Sequence, residues 1–233
     1  MVFKTIAFDA DDTLWHNEPL YIAAHQKLEA LLADYTDADT VDRILYAREM
    51  ANLPYFGYGI MGFAFSMIET AIELTRGKIR GEEIQKIIDF SKEMKASEVK
   101  LLEDVHEVLS TLSRSYELMV ITKGDLLDQE MKLSKSGIAD FFHYVEIVSE
   151  KSEETYRRVL EKYGVEPQRF LMVGNSLKSN ILPVVAVGGY AVFIPYQATW
   201  EHEVTPEEMQ ADGYFTLEYM GELPALIEQI DVK

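Results

Sequence analysis

Two carboxylates two residues apart, Asp9 and Asp11, stand with the Thr13 hydroxyl where the apolar run Thr5–Phe8 ends. One carboxylate so placed can act as a nucleophile and the other as its acid/base partner. By itself the pair has a second reading, a solvated turn in a chain with 40 Asp and Glu. Three further groups stand in the same relation to later apolar runs. Thr122 closes Leu118–Ile121 and is followed by Lys123 and Gly124. Lys151 follows Val145–Val148, and Gly174-Asn175-Ser176-Leu177-Lys178-Ser179-Asn180 follows Phe170–Val173. Together they supply a nucleophile, an acid/base, a hydroxyl donor, a cation and polar groups able to face a metal ion. Phosphoryl transfer needs those parts, because its catalysis rests mostly on positioning and on charge stabilisation.

These residues meet only if the apolar runs are neighbouring parallel strands. Runs rich in β-branched residues recur at Thr5–Phe8, Leu118–Ile121, Val145–Val148, Phe170–Val173 and Tyr190–Ile194. Helix-like stretches lie between the later ones: Val108, Leu109 and Leu112 share a face of His106–Ser113, as do Tyr156, Val159 and Leu160 in Glu154–Tyr163. This alternation predicts an α/β fold with a Rossmann-like parallel sheet. Right-handed crossovers then bring every carboxyl end to one rim, where open α/β sheets build their sites.

Residues 17–98 break the alternation. Tyr21–Leu32, Thr40–Met50, Phe63–Thr75 and Glu82–Met94 have helical periodicity, with Asp39-Thr40 and Gly81 as capping signals. One crossover needs far fewer residues, so 17–98 is predicted to be an inserted helical domain, leaving 1–16 and 99–233 as the core. Tyr55-Phe56-Gly57-Tyr58-Gly59-Ile60-Met61-Gly62-Phe63 mixes glycines with aromatics. It reads either as a bent loop offering flat faces to a base or ring, or as a connection whose glycines let helices approach. His16 is a candidate substrate contact, with a structural or solvated role as the alternative. Arg48 has the same two readings, a substrate anion or a surface ion pair. Asp125 is placed to supplement the site or to cap a helix over Leu126–Ser134.

Composition narrows the partners. The chain has 233 residues, 48% of them hydrophobic, and no cysteine, which excludes disulfides, thiolate metal sites and cysteine nucleophiles. A net charge of −18 opposes nucleic-acid polymers and anionic membranes. The apolar run Ile181–Tyr196 is shorter than a membrane span and is broken by Pro183, Gly188, Gly189 and Pro195. With no signal-peptide layout at Met1-Val2-Phe3-Lys4-Thr5, a soluble cytoplasmic protein is expected. Thr199–Lys233 holds nine acidic residues and one lysine and is read as solvated surface.

The four groups resemble the haloacid dehalogenase superfamily of phosphohydrolases, and the resemblance covers nearly the whole chain. Asp9-Ala10-Asp11-Asp12-Thr13 matches its first motif, Thr122 the second, Lys151 the third, and Gly174 to Asn180 the frame of the fourth. The inserted helices look like its type-one cap. The resemblance implies that Asp9 attacks phosphorus, giving an aspartyl-phosphate, and that Asp11 protonates the leaving oxygen and then activates water. Thr122 and Lys151 would hold phosphoryl oxygens, with Thr13, Lys123, Gly124, His16 and Tyr58 as further phosphate or substrate contacts. Mg²⁺ would sit by Asp9, with Asp11 and Asn175 as the other ligands, and the substrate would be a small phosphorylated metabolite.

The superfamily's dehalogenases share the nucleophile but resemble one another in lacking the second Asp and needing no metal. Halide leaves without a proton whereas an alkoxide needs one, so Asp11 favours a phosphatase. A sugar phosphotransferase is a further alternative, and so, outside enzymes, is a phosphate-ligand binding protein on a decayed scaffold. The chain departs from the fourth motif, ordinarily Gly-Asp-x-x-x-x-Asp, by carrying Asn175 and Asn180. Asn offers Mg²⁺ a carbonyl oxygen but no charge, which implies weakened metal binding and leaves Lys151 to lean on Glu150, Asp125 or substrate. Trp15-His16 after the first motif looks more like the arrangement in certain nucleoside monophosphatases of the superfamily.

Overall fold

The computed structural model describes residues 2–198, 200–203 and 213–231. It contains two compact units: Met1–Glu18 with Val99–Lys123 and Gln129–Lys233, and Pro19–Glu98 with Gly124–Asp128. The strands are β1 (Thr5–Phe8), β2 (Glu117–Lys123), β3 (Tyr144–Val148), β4 (Phe170–Gly174), β5 (Tyr190–Phe193) and β6 (Phe215–Thr216). The helices are α1 (Glu18–Leu32), α2 (Ala38–Phe56), α3 (Ile60–Leu74), α4 (Gly81–Ala96), α5 (Val105–Leu112), α6 (Leu126–Lys135), α7 (Glu153–Tyr163), α8 (Leu182–Ala186) and α9 (Leu223–Asp231).

In the first unit the described strands form one parallel sheet in the order β3-β2-β1-β4-β5-β6. The chain winds outward from β1 through β2 to β3, then returns to the other side of β1 for β4, β5 and β6. Strand order therefore reverses between β1 and β4, where such sheets open a crevice at their carboxyl ends. Ile6, Phe8, Leu118, Val120, Leu171 and Val173 are buried on one face with Val105 and Leu109 of α5 and Leu223 and Ile227 of α9. Ala7, Met119, Ile121 and Met172 are buried on the other with Tyr156, Val159 and Leu160 of α7 and Val184 of α8. Strands covered on both faces need apolar side chains at every position, which is why they stand out in the sequence as unbroken runs. β2 is longer than its apolar run, so Thr122 lies within the strand, opposite Ile147, rather than beyond it.

The helical unit packs Leu28, Leu45, Phe63, Met67 and Ile87 into its own core. Burying each such side chain contributes roughly 1.5–3 kcal/mol. Helix α2 begins earlier than Asp39-Thr40 indicates. Its cap is Asp37, whose carboxylate accepts from the Thr40 amide at 2.9 Å, and the helix runs through Pro54 to Phe56. A carboxylate three residues before a free amide is what an N-cap requires. Arg48 pairs with Glu73 on the surface.

The glycine-aromatic stretch is a tight turn. Gly57 and Gly59 take φ of 66° and 123°, and a Cβ on Gly62 would lie 2.9 Å from the Gly57 carbonyl oxygen. Aromatics beside it stay exposed: Tyr55 is 81% accessible and the Phe56 and Phe65 rings are 4.7 Å apart. Residues 124–128, which the sequence assigns to the core, belong to the helical unit. Lys95 reaches Asp128 at 3.8 Å, and a Cβ on Gly59 would sit 3.4 Å from the Asp125 amide. Asp125 does cap α6, accepting from the Asp128 amide at 3.0 Å. No helix among the described residues is long and apolar enough to cross a membrane.

Candidate active site

The site grows from the end of β1. The Asp9 amide continues the ladder by donating to the Val173 carbonyl at 2.9 Å, so the side chain emerges beside the end of β4. Its Oδ1 accepts from the Ala10 amide at 2.7 Å and lies 2.5 Å from Lys151 Nζ. Lys151 is 3% exposed. Burial pulls its ammonium below the usual lysine range, against the opposing pull of Asp9. A buried cation against a buried carboxylate is stable only as a pair. The ammonium of Lys151, expected to lean on Glu150, Asp125 or substrate, meets Asp9 instead, while Glu150 accepts from the Lys151 backbone amide at 2.9 Å.

The chain then folds over itself. The amides of Thr13 and Leu14 donate to the Ala10 carbonyl, at 3.2 and 2.8 Å, and Asp12 takes a left-handed φ of 58°. Buried Asp12 accepts from the amides of Asn17 and Glu18, at 2.8 and 3.1 Å, at the start of α1. Burial raises its carboxyl to about 7, although those two amides work the other way. The segment is thus not a solvated turn. The Asp11 carboxylate is fixed by Trp15 Nε1 at 2.7 Å, Gln129 Nε2 at 2.8 Å and Lys132 Nζ at 3.0 Å. Lys132 lies within hydrogen-bonding reach of both Asp11 oxygens. Gln129 and Lys132 had no marker in the sequence beyond their one-turn spacing on α6.

Across from this turn, Thr13 Oγ1 donates to Asn175 Oδ1 at 3.2 Å. Asn180 is different. It is fully buried, and its Oδ1 accepts from the Ser176 amide at 2.9 Å, pinning a π-helical turn over Leu177–Ile181. Asn180 is therefore a brace for the loop and not a group facing a metal. A Cβ on Gly174 would collide with it, 2.5 Å from Oδ1 and 2.7 Å from Cβ. Tyr156 adds a hydrogen bond from its hydroxyl to the Ser179 carbonyl at 2.9 Å.

Thr122 is buried, and its hydroxyl makes one long contact, 3.3 Å, to the Lys123 carbonyl. Lys123, expected as a phosphate contact, is engaged by protein groups. Its ammonium lies 2.5 Å from Glu203 and 3.7 Å from Glu150, and it donates to Ser179 Oγ at 2.9 Å. Gly124 follows with φ of 137°, a backbone setting that side chains rarely adopt. His16 is exposed and its Nδ1 is 2.7 Å from the Tyr196 hydroxyl. Tyr58 belongs to the helical unit.

Among the described residues, the side-chain oxygens suited to a cation on this rim include the Asp9 carboxylate and Asn175 Oδ1. Both are hard donors that fit Mg²⁺, which keeps several waters and needs few protein ligands. With Lys151 already against Asp9, the site offers the cation little net negative charge.

A family model for haloacid dehalogenase-like hydrolases matches residues 3–188. Human N-acylneuraminate-9-phosphatase is 26% identical over 173 residues, 71% of this chain and 67% of that protein. The 5-amino-6-(5-phospho-D-ribitylamino)uracil phosphatase YigB of Escherichia coli is 23% identical over 224 residues, 87% and 90% of the two chains. The crystal structure of a haloacid dehalogenase-like family hydrolase from Xanthomonas campestris superposes with a TM-score of 0.89. It is 36% identical and covers 99% of this chain and 93% of that one.

Proposed function

Because the chain belongs to the haloacid dehalogenase-like hydrolases, we propose that it hydrolyses the phosphate monoester of a small metabolite through an aspartyl-phosphate on Asp9, with Mg²⁺ as cofactor. The observation that carries the proposal is the pairing at the end of β1. Lys151 holds the Asp9 carboxylate at 2.5 Å, while a second carboxylate, Asp11, is fixed two residues on by three donors. In this reading Asp9 attacks phosphorus, the bond to the ester oxygen breaks, and Asp11 gives that oxygen its proton. Asp11 then takes a proton from water as the water attacks the aspartyl-phosphate, releasing inorganic phosphate and restoring Asp9. Thr122, Lys151 and Thr13 hold phosphoryl oxygens, and Gly124 leaves room for the phosphate beside the backbone. Asp9 and Asn175 would hold Mg²⁺, whose charge would offset that of the phosphoryl group.

Asp11 favours this reading over carbon–halogen hydrolysis, whose leaving group needs no proton, and the phosphatase names of the two relatives above support the same choice. Residues 19–98 act in the proposal as a type-one cap that selects the substrate, with Tyr58 and His16 meeting its organic part, in the cytoplasm. The test is hydrolysis of an aryl phosphate with Mg²⁺, alongside chloride release from 2-chloropropionate. Asp9→Asn is expected to lower phosphate release by on the order of 10³ or more. Equal rates for the two proteins would end the enzyme reading, and metal-independent chloride release would turn it to a dehalogenase.

A further inference from the structure

Glu203 lies in the acid-rich segment after β5, yet its side chain is only 15% exposed and both its oxygens are engaged. Oε1 is 2.5 Å from Lys123 Nζ, while Oε2 accepts from the hydroxyls of Ser176 and Ser179, the latter at 2.7 Å. Its backbone is anchored too: the Glu203 amide donates to the Trp200 carbonyl at 2.9 Å, and Lys178 donates to the His202 carbonyl at 3.0 Å. One carboxylate thus ties the end of β2, which carries Thr122, to the turn after β4, which carries Asn175.

The charge arrangement gives this contact its meaning. Lys123 and Lys151 are both largely withdrawn from water, with side chains 12% and 1% exposed. Asp9 matches Lys151, and Asp11 is held by Lys132. The two positions of the fourth motif that would carry further acid are Asn175 and Asn180. The other carboxylate near Lys123, that of Glu150, is farther off at 3.7 Å and more exposed, and taking a hydrogen-bonded carboxylate away from a cation largely withdrawn from water is costly. Lys123 and Glu203 also act on Lys151 with opposite signs. We propose that Glu203 supplies, from outside the motif, the carboxylate that positions 175 and 180 lack, and so acts as a positioning residue that fixes Lys123 and the Asn175 turn on the reactive rim. This rests on the phosphatase reading above.

The test compares aryl phosphate hydrolysis by wild type, Asp9→Asn, Glu203→Gln, Glu203→Asp, Lys123→Met and the Glu203→Gln/Lys123→Met double variant, with a urea-unfolding cycle on the same Lys123 and Glu203 variants. Glu203→Gln is expected to lower kcat by on the order of 10-fold or more, the size of one charge-assisted hydrogen bond, with a smaller change in KM. Glu203→Asp, which keeps the charge, recovers part of the loss. The double variant is no worse than the poorer single one, and the unfolding cycle shows the same coupling. A Glu203→Gln enzyme with wild-type kcat overturns the proposal. So do equal losses for Gln and Asp with single-variant effects that multiply in the double. Failure of the phosphatase reading is distinct, because wild type and Asp9→Asn would then be equally slow while the unfolding cycle still reports the Lys123–Glu203 pair.

Discussion

Replacing Glu203 with Gln should weaken the fold by an amount that depends on pH in a defined direction. Burial alone would raise its carboxyl, but Lys123 and the hydroxyls of Ser176 and Ser179 outweigh burial and hold it at about 2, against an ordinary 4.5. A carboxyl depressed on folding contributes stability that is complete above its unfolded value and is lost as pH falls toward its folded one. Gln is the neutral shape-mimic of the protonated acid, so its cost at neutral pH approximates the whole effect. The fall from 4.5 to about 2, at about 1.36 kcal/mol per pH unit, comes to roughly 3 kcal/mol at pH 7. The same linkage leaves less than half of that at pH 3 and approaches zero near pH 1. Urea unfolding of both proteins between pH 7 and 3 measures the difference. A difference that stays constant over that range, or is absent at pH 7, would refute the electrostatic account of this contact.

Four further outcomes are expected. Asp12 has the opposite sign: burial raises its carboxyl to about 7 from 3.8, so its contribution is complete below 3.8 and is lost as pH rises through 7. Asp12→Asn should therefore flatten the fall in Tm between about pH 4 and 7, leaving the part due to Glu18, which burial also raises to about 7. Gly174→Ala drives a methyl into Asn180 and should cost about 1–3 kcal/mol in urea unfolding; an unchanged midpoint would contradict the close approach. Lys151→Met removes the cation 2.5 Å from Asp9 and should lower kcat on an aryl phosphate by on the order of 10² or more. Asn175→Asp adds a charged oxygen next to Thr13 and should lower the Mg²⁺ concentration giving half-maximal activity by about 10-fold; unchanged metal dependence would remove Asn175 from the metal set.

Much of this protein is set locally along the chain. Strands covered on both faces are written as continuous apolar runs, and helices between them as stripes at a spacing near 3.6, so the parallel sheet follows from Thr5–Phe8, Phe170–Val173 and their neighbours. Chemistry placed at the ends of such runs must share a rim, because parallel crossovers leave it no other place. Asp9, Thr13, Lys151 and Asn175 were legible for that reason. Helix limits were less so: Asp37 and Asp39 are chemically alike, and only the hydrogen bond to Thr40 distinguishes the cap.

Tertiary structure decided which charge meets which. Asp11 with Lys132, Lys123 with Glu203, and Asn180 with the Ser176 amide are side-chain choices that no periodicity encodes. The first two join residues far apart in the chain, and in the third a buried amide that could have faced a cation instead satisfies the backbone beside it. Glu203 looked like one more acid in a solvated segment. It is largely withdrawn from water because the chain after β5 returns to the rim, where Lys123 and the hydroxyls of Ser176 and Ser179 engage its carboxylate.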